Sequence, residues 1–465
     1  MTKGNNRFSM KMKTLAAAVS ATAVMGLGMV PAATHADETC NSPFTPLIKG
    51  QEDLVYVWTL GVEGIGDGSD KLVTVDVRPG SKTFGKVIAS LSTGDRGEAH
   101  HMGFTDDRRY MWAGALDSNK IFIFDIHSNP AKPTLVKTIT DFAEKTGFVG
   151  PHTFYALPGR MLIQALSNTK DHGGRTGLVV YNNDGKLINT IDMPTGQMSN
   201  GVMADGYGYD LGINPQQSLL LSSSFTGWNN YMMDFGKMAK DPEAMKHFGK
   251  TMVLWDAKTL QPKKVFEVPG APLEIRWSLK QGDNWAVTAA ALTGKLWVVK
   301  QDANKEWQAY DVGTIKTESP VPLPVDISLS ADGKGLWANT FLDGVAQYWD
   351  FSDPLKPKMT YKKKIASQVN MVSQSFDGKR VYFTTSLMAN WDKKGKGDDQ
   401  VLKMYHWDGK ELAEAFSIDF YKEKLGRAHH MKFQAINLKE LQPLQARLDG
   451  ANTQDKLALT DLLGK

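Results

Sequence analysis

A strand-turn-strand pattern occurs seven times and constrains the fold of this chain more than any other feature. Each copy is a short β-branched or aromatic strand, followed by a turn rich in Asp, Gly, Asn or Pro and then by a second strand. The copies are Leu72–Val77, Ile121–Ile126, Gly177–Tyr181, Met252–Asp256, Leu296–Val299, Ala346–Asp350 and Val401–Tyr405. Most of their starts are separated by roughly 45 to 57 residues, close to the length of a four-stranded propeller blade. We therefore predict an all-β, seven-bladed β-propeller.

Turn signals between the copies support this prediction. Asp332-Gly333 and Asp377-Gly378 each precede an aromatic strand, as expected for hairpins. A doubly wound α/β fold would need helical patterns between the strands, and the repeated region does not show them.

Two segments depart from the repeat. Met and Phe residues alternate with charged residues between Trp228 and Gly249, which predicts a helical insertion at about 226–250 over one face. Leucines at helical spacing predict a C-terminal helical tail at about 438–465, which packs on the propeller or mediates a homo-oligomer. We predict no further boundary, so residues 37–465 form a single propeller domain.

The first 36 residues have the parts of a secretory signal peptide. Basic residues from Lys3 to Lys13 precede an apolar stretch at 15–30 and a small-residue cleavage site at Thr34-His35-Ala36. No apolar stretch reaches the roughly 20 residues that a membrane-spanning helix needs. We expect the mature protein to be exported, most simply to a bacterial periplasm.

Charge is balanced once this leader is removed. The chain has 54 Lys and Arg against 50 Asp and Glu, and four of the basic residues lie in the leader. A neutral mature chain lacks the basic surface that binds nucleic acid or anionic membranes. Cys40 is the one cysteine, so an intramolecular disulfide is excluded. We interpret Cys40 as an unpaired thiol, with an intermolecular bridge or a metal ligand as alternatives.

Four of the ten histidines occur in two adjacent pairs far apart in the chain, His100-His101 and His429-His430. His152 follows Pro151 and is predicted to open a strand, although a lone histidine there is often structural. Strand starts from different blades line the channel of a propeller, so these residues could converge on one ion. Imidazoles without thiolate favour copper, zinc, iron or nickel over calcium or magnesium. The pattern therefore predicts a metalloprotein.

Two glutamates are candidates for proton transfer beside such a metal. Glu98 precedes the first histidine pair, and Glu274 lies two residues before Arg276. Each carboxylate could accept a hydrogen bond from an imidazole or carry a proton, whereas a salt bridge with Arg276 is the alternative for Glu274. The chain has no Gly-rich phosphate loop and no Gly-x-Ser-x-Gly elbow, which argues against nucleotide-binding and hydrolase functions.

Several motifs, in the same order, resemble the selenium-binding protein family, whose secreted bacterial members include copper-dependent methanethiol oxidases. The similarity runs from about Asp70 to Phe433. It includes His100-His101-Met102-Gly103-Phe104, His152-Thr153, the run from Pro272 to Arg276, and the run from Ser375 to Leu387 followed by Trp391-Asp392-Lys393. The chain lacks the Cys-x-x-Cys that animal members have after the first histidine pair, so selenium binding by that route is not expected.

The resemblance implies a copper ion held by His100, His101, His152 and one histidine of the second pair. The family's closing motif, Ala-His-Glu, aligns with Ala428-His429-His430, which favours His429 and leaves His430 as the alternative. It further implies oxidation of methanethiol by O2 and water to formaldehyde, hydrogen sulfide and hydrogen peroxide, with a carboxylate such as Glu98 or Glu274 taking the methyl proton.

Two other classes of function stay open. One is a periplasmic copper-binding or copper-delivery protein without turnover, which the methionines of the insertion would suit. The other is an interaction scaffold in which the histidine pairs stabilise the channel. Thiol-dependent oxygen consumption separates the enzyme from the copper carrier, and a scaffold would keep its partners after chelation.

Overall fold

The structure is a computed structural model that describes residues 51–434 except for residues 279, 281 and 376. The predicted signal peptide, Cys40 and the predicted tail at 438–465 lie outside the described residues. The described residues lie in one compact unit. None of their helices is both long enough and apolar enough to cross a membrane.

Thirty strands, numbered in chain order, make up about half of this region. The first eleven are β1 (Leu54–Leu60), β2 (Lys71–Asp76), β3 (Lys86–Ser92), β4 (Ala99–Phe104), β5 (Tyr110–Ala115), β6 (Lys120–Asp125), β7 (Thr134–Ile139), β8 (Phe148–Leu157), β9 (Arg160–Asn168), β10 (Gly177–Asn182) and β11 (Leu187–Asp192). The next ten are β12 (Thr195–Gln197), β13 (Met203–Asp205), β14 (Leu211–Asn214), β15 (Leu219–Ser222), β16 (Thr251–Asp256), β17 (Pro262–Glu267), β18 (Pro272–Trp277), β19 (Trp285–Ala290), β20 (Lys295–Gln301) and β21 (Trp307–Thr314). The last nine are β22 (Pro324–Leu329), β23 (Gly335–Thr340), β24 (Val345–Asp350), β25 (Lys358–Lys364), β26 (Val372–Gln374), β27 (Arg380–Thr384), β28 (Val401–Trp407), β29 (Leu412–Asp419) and β30 (Arg427–Gln434).

Seven four-stranded antiparallel sheets form the blades of a propeller, as the repeat predicts. In the first blade the order is β3-β2-β1-β30, so the last described strand pairs with the first and closes the ring. The other six blades are β4–β7, β8–β11, β14–β17, β18–β21, β22–β25 and β26–β29, and β12 and β13 form a separate ribbon. Each copy of the sequence repeat is the third strand of its blade, counted from the axis.

The innermost strand of each blade packs against its neighbours around the axis. These inner strands are β30, β4, β8, β14, β18, β22 and β26. Apolar side chains fill the space between the blades: Val57, Met404 and Met431 join the last blade to the first. Burying a Val or Met side chain contributes about 1.5–3 kcal/mol to the free energy of folding. These apolar layers therefore stabilise the ring of blades around its axis.

The segment at 226–250, which we call the insertion, leaves the fourth blade between β15 and β16. We expected a helix there, and the structure has three short ones: α2 (Trp228–Tyr231), α3 (Phe235–Met238) and a 3₁₀ helix at Ala244–Lys246. Within the described ranges, two further short helices lie outside the insertion, α1 at Phe142–Thr146 and a 3₁₀ helix at Gly395–Gly397.

The insertion is tied to a loop of the seventh blade, Leu387–Trp391, which we call the cavity loop. The Asn390 amide Nδ2 donates to the carbonyls of Tyr231 and Met233 at 2.9 and 3.0 Å. The Trp391 indole Nε1 donates to the Met233 carbonyl at 3.1 Å. These bonds fix the insertion against the cavity loop.

Candidate metal centre

Irregularities in the inner strands aim the site residues at the axis. Side chains of a regular strand alternate between its two faces, and a bulge adds a residue that breaks this alternation. The pairing of β4 with β5 shifts at His100-His101, that of β8 with β9 at His152, and that of β30 with β1 at His429. His152 therefore lies at a bulge in the middle of β8, and the prediction that it opens a strand is wrong.

A shift of the same kind in strand pairing occurs in two more blades. The pairing of β18 with β19 shifts between Pro272 and Ile275, around Glu274, and that of β22 with β23 shifts between Pro324 and Ile327. Proline lacks an N–H for the ladder, so its place near the start of these strands and at their bulges fits its chemistry.

The five predicted histidines come together on the axis, where every one is at most 2% exposed. The His100 ring centroid lies 4.1 Å from that of His429 and 4.8 Å from that of His101. The His101 ring lies 4.1 Å from His152 and 4.6 Å from His430. One nitrogen from each of His100, His101 and His429 lies within 4.8 Å of the other two, a spacing that one metal ion could bridge.

Several ring nitrogens of this cluster are buried without a hydrogen-bond partner among the described residues. His100 Nδ1 and the Nε2 atoms of His152, His429 and His430 are buried and have no hydrogen-bond partner within the described chain. Burial lowers the pKa of His100, His101, His152 and His430 well below the usual value, and it lowers that of His429 to about 3. The imidazoles are therefore neutral at neutral pH, the state that metal binding requires. These residues fit a copper ion.

Hydrogen bonds to the other ring nitrogen distinguish His429 from His430. His429 Nδ1 lies 2.8 Å from the Ser386 carbonyl oxygen and 3.0 Å from the Asn370 amide Nδ2, which itself donates to that carbonyl. Because the carbonyl only accepts, the shorter contact favours a proton on Nδ1, which leaves a lone pair on Nε2. His430 Nδ1 instead accepts from the Met102 backbone N–H at 3.2 Å, which places the proton of a neutral ring on Nε2. His429 Nε2 therefore has a lone pair facing the cluster, whereas His430 Nε2 has an N–H group.

A threonine orients His152 in the same way. His152 Nδ1 lies 3.0 Å from the Thr153 hydroxyl. That hydroxyl lies 3.0 Å from both the Tyr209 carbonyl and the Asp210 carboxylate, which are acceptors, so its oxygen lone pair can accept from Nδ1. His152 Nε2 is left as a donor atom for a metal, held indirectly by a carboxylate.

A buried charge network of Glu274, Arg276, Asp210 and Asp326 lies beside the histidines. The Arg276 guanidinium reaches Glu274 at 3.1 Å, Asp210 at 3.3 Å and Asp326 at 2.9 Å. Backbone N–H groups of Ile275, Ile327 and Val372 donate to the two aspartates. Burial raises the pKa of Asp326 to about 7 and raises that of Glu274 well above its usual value.

Glu274 links this network to the histidines. Its Oε2 pairs with Arg276, which confirms the salt bridge considered from the sequence. Its Oε1 lies 3.8 Å from His101 Nε2 and has no hydrogen-bond partner in the described part of the protein. One carboxyl thus has an anchored oxygen and an oxygen directed toward the ring cluster.

Glu98 lies at the edge of the site. Its Oε1 accepts a hydrogen bond from the Ala389 N–H of the cavity loop at 2.9 Å, and its backbone has a positive φ of 64°. Burial raises the pKa of Glu98 to about 8. The Glu98 carboxyl is thus attached to the cavity loop.

A narrow apolar cavity of about 10 Å³ adjoins the cluster at His100. Its wall is almost entirely apolar and comes from several blades and the cavity loop, with Leu116, Leu166, Phe225, Leu273, Leu323, Val325, Leu387, Met388 and Trp391 beside His100 and Tyr209. Buried residues of the insertion, including Tyr231 and Phe248, pack in the same apolar cluster. The site is therefore a polar ring cluster beneath a small apolar chamber.

The sequence did not single out Asp210, Asp326, Thr153 or Tyr209. Pro324-Val325-Asp326 repeats the spacing of Pro272-Leu273-Glu274, and this similarity could have indicated that Asp326 lies on an inner strand. Asp210 and Tyr209 precede the short strand β14 and carry no comparable signal.

Fold and site define a class: a seven-bladed propeller whose inner strands carry a buried, neutral imidazole cluster. The family described as 56kDa selenium binding protein (SBP56) matches residues 34–437, and the chain belongs to this family. A Hyphomicrobium protein named methanethiol oxidase is 66% identical over 412 residues, covering 88% of this chain and 93% of that protein. A methanethiol oxidase from Ruegeria pomeroyi is 57% identical over 431 residues, covering 91% and 98%.

A solved structure supports the fold. The hypothetical selenium-binding protein from Sulfolobus tokodaii matches with a TM-score of 0.73 and 23% sequence identity, over 84% of this chain and 96% of that one. At this identity the likeness concerns the architecture alone. The recognition from sequence motifs is confirmed by the family match and by the two bacterial relatives.

Proposed function

We propose that this protein is a methanethiol oxidase: methanethiol, O2 and water give formaldehyde, hydrogen sulfide and hydrogen peroxide. The observation that carries the proposal is that the apolar cavity adjoins the imidazole cluster, because His100 belongs to both. It is supported by the two bacterial relatives of that name, which match over most of their length.

We propose copper as the resident metal, held by His100, His101 and His429, with His152 beside them. Copper suits imidazole ligands, and when bound it supplies a Lewis acid for a thiolate sulfur together with a redox couple. Zinc would bind the same nitrogens but has no redox chemistry. His430 is the alternative to His429, and its tautomer argues against that alternative.

The chain's own residues prepare the substrate. The cavity wall excludes water and accepts the methyl group. The polar groups of His100 and Tyr209 in this wall mark the end at which the sulfur would lie. Arg276 fixes one oxygen of Glu274, so the other can hold or move a proton beside His101. A proton role for Glu98 stays a prediction, with its carboxyl bound to the cavity loop.

An oxygen electrode tests the proposal on copper-loaded protein. Methanethiol should start oxygen uptake, with formaldehyde, sulfide and peroxide appearing in equal amounts, and metal-free protein should be inactive. Copper binding without uptake would replace the enzyme with a copper-binding or copper-delivery protein. Turnover of methanethiol by metal-free protein would contradict the role of copper.

We further propose export to the periplasm through cleavage of residues 1–36. The basic and apolar pattern of that segment supports it. N-terminal sequencing of protein from a periplasmic extract should begin at Asp37, and recovery of the intact leader from the cytoplasm would contradict it.

A further inference from the structure

The cavity beside His100 is narrow, and rigid aromatic rings form part of its wall. Its volume of about 10 Å³ leaves room for about one water molecule. Phe225 and Trp391 meet edge to face, with ring centroids 5.8 Å apart. Both are at most 6% exposed. Adding even one methylene to a well-packed apolar space forces side chains apart, so such a cavity discriminates by size.

Trp391 lines the cavity and also contacts the insertion, which we call the roof of the cavity. Its ring lines the cavity, and it also packs on Phe235 of the insertion at a centroid distance of 5.1 Å. Its indole N–H donates to the Met233 carbonyl of the insertion. The neighbouring Asn390 donates twice to the same segment. Trp391 therefore cannot move away from the cavity without breaking the attachment of the roof.

We propose that this cavity is a size filter for alkyl thiols and that Trp391 is the residue that sets the limit on chain length. The inference rests on the proposed function and adds a specificity-determining residue to it. The wall admits a methyl group next to His100, whereas the extra carbons of ethanethiol or 1-propanethiol would meet the indole and the roof that it holds.

The test compares three thiols on copper-loaded wild-type protein and on variants. One missing or extra methylene in an apolar pocket changes kcat/KM by roughly 10–200-fold. We expect wild-type protein to prefer methanethiol over ethanethiol by at least about tenfold, and the Trp391→Ala variant to lose most of this preference. Trp391→Phe keeps a ring in the wall but lacks the N–H donor, so it should keep more of the preference than Trp391→Ala.

Trp228→Ala is the matched control, because Trp228 belongs to the insertion and contacts Tyr231 and His172 but does not line the cavity. It should keep the wild-type ratio. Leu166→Ala enlarges the cavity from another blade and serves if Trp391→Ala does not fold; it should also lower the preference. Spectral titration of the copper-loaded proteins with each thiol gives binding separately from turnover.

The outcomes separate the filter from the proposed function. If wild-type protein shows no thiol oxidation, the proposed function fails, and the binding titrations still test the filter. If wild-type protein oxidises methanethiol but Trp391→Ala and Leu166→Ala keep its ratio, the filter is wrong and the function stands. A preference lost equally in Trp228→Ala would also contradict the role of Trp391.

Discussion

Two groups of buried polar side chains lie near the axis of this propeller, and they differ in the hydrogen-bond and ion-pair partners of their polar atoms. In the charge network, Arg276 pairs with three carboxylates, and backbone N–H groups bind the aspartates. In the histidine cluster, four ring nitrogens have no hydrogen-bond partner within the described chain. Because a buried polar atom left unpaired costs about 1–3 kcal/mol, the cluster costs stability until a ligand occupies it. This difference supports the proposal that the metal binds at the histidine cluster and that the charge network is structural.

The largest expected effect concerns the two histidines of the last strand. His429→Gln should reduce bound copper to background, because the Nε2 lone pair is lost from a three-nitrogen group. His430→Gln should keep copper, since the tautomer of His430 places a proton on Nε2. Metal analysis after copper loading checks both, and the reverse result would move the ligand to His430.

A second prediction tests the residue that joins the two groups. Glu274→Gln keeps the size of the side chain but removes its ability to carry a proton. We expect kcat to fall by about 10²–10⁴-fold, the range for loss of a positioned acid or base. Copper content and its EPR spectrum should stay unchanged. Full activity in this variant would show that the oxygen facing His101 is not used.

A third prediction addresses the charge network alone. Arg276→Met leaves three buried carboxylates without their cation, so the free energy of unfolding should fall by about 3–5 kcal/mol. Arg96→Met is the control, because Arg96 forms an exposed ion pair: its guanidinium nitrogen lies 3.7 Å from the Glu63 carboxylate oxygen. That exposed change should stay within about 0.5 kcal/mol. Denaturant titration of metal-free protein measures both, and equal effects would mean that the network contributes nothing special.

The smallest expected effect is a difference between the histidine cluster and the charge network in how the free energy of unfolding depends on pH. The His429 pKa of about 3 lies below the value near 6.5 in the unfolded chain. The contribution of His429 to the free energy of unfolding is therefore full above pH 6.5 and is lost as pH falls toward 3. Asp326 behaves oppositely: with a folded pKa of about 7, its contribution is full below about pH 3.8 and is lost as pH rises through 7.

Metal-free His429→Gln should therefore lose part of the acid sensitivity of the wild type. Its unfolding free energy should depend on pH less steeply between about pH 6 and 4, by about 1.4 kcal/mol per pH unit for one proton. His127→Gln, at an exposed turn, should keep the wild-type slope. Parallel slopes in all three proteins would contradict a neutral, buried His429.

The propeller was predictable because each blade must contribute a strand of the same kind at a regular interval. The seven copies are the third strands of seven blades. The length of the insertion's helices was not predictable, because the bonds from Asn390 and Trp391 that fix the segment come from another blade.

The candidate site was predictable in its histidines and much less so in its hydrogen bonds. Two adjacent pairs and one histidine after proline indicated convergence on the axis. The bulges that aim His152 and His429 depend on pairing with neighbouring strands, which the sequence does not show. The tautomer of His429 depends on the carbonyl of Ser386, more than forty residues away in the chain.

The most direct test of the metal centre is quantitative copper analysis with EPR on reconstituted protein, beside a variant in which His100, His101 and His429 are replaced by glutamine. We predict about one copper per wild-type chain, with hyperfine coupling to imidazole nitrogen, and none retained by the variant. Equal copper in both proteins, or no copper in the wild type, would contradict the assignment of the unpaired imidazoles as the metal site.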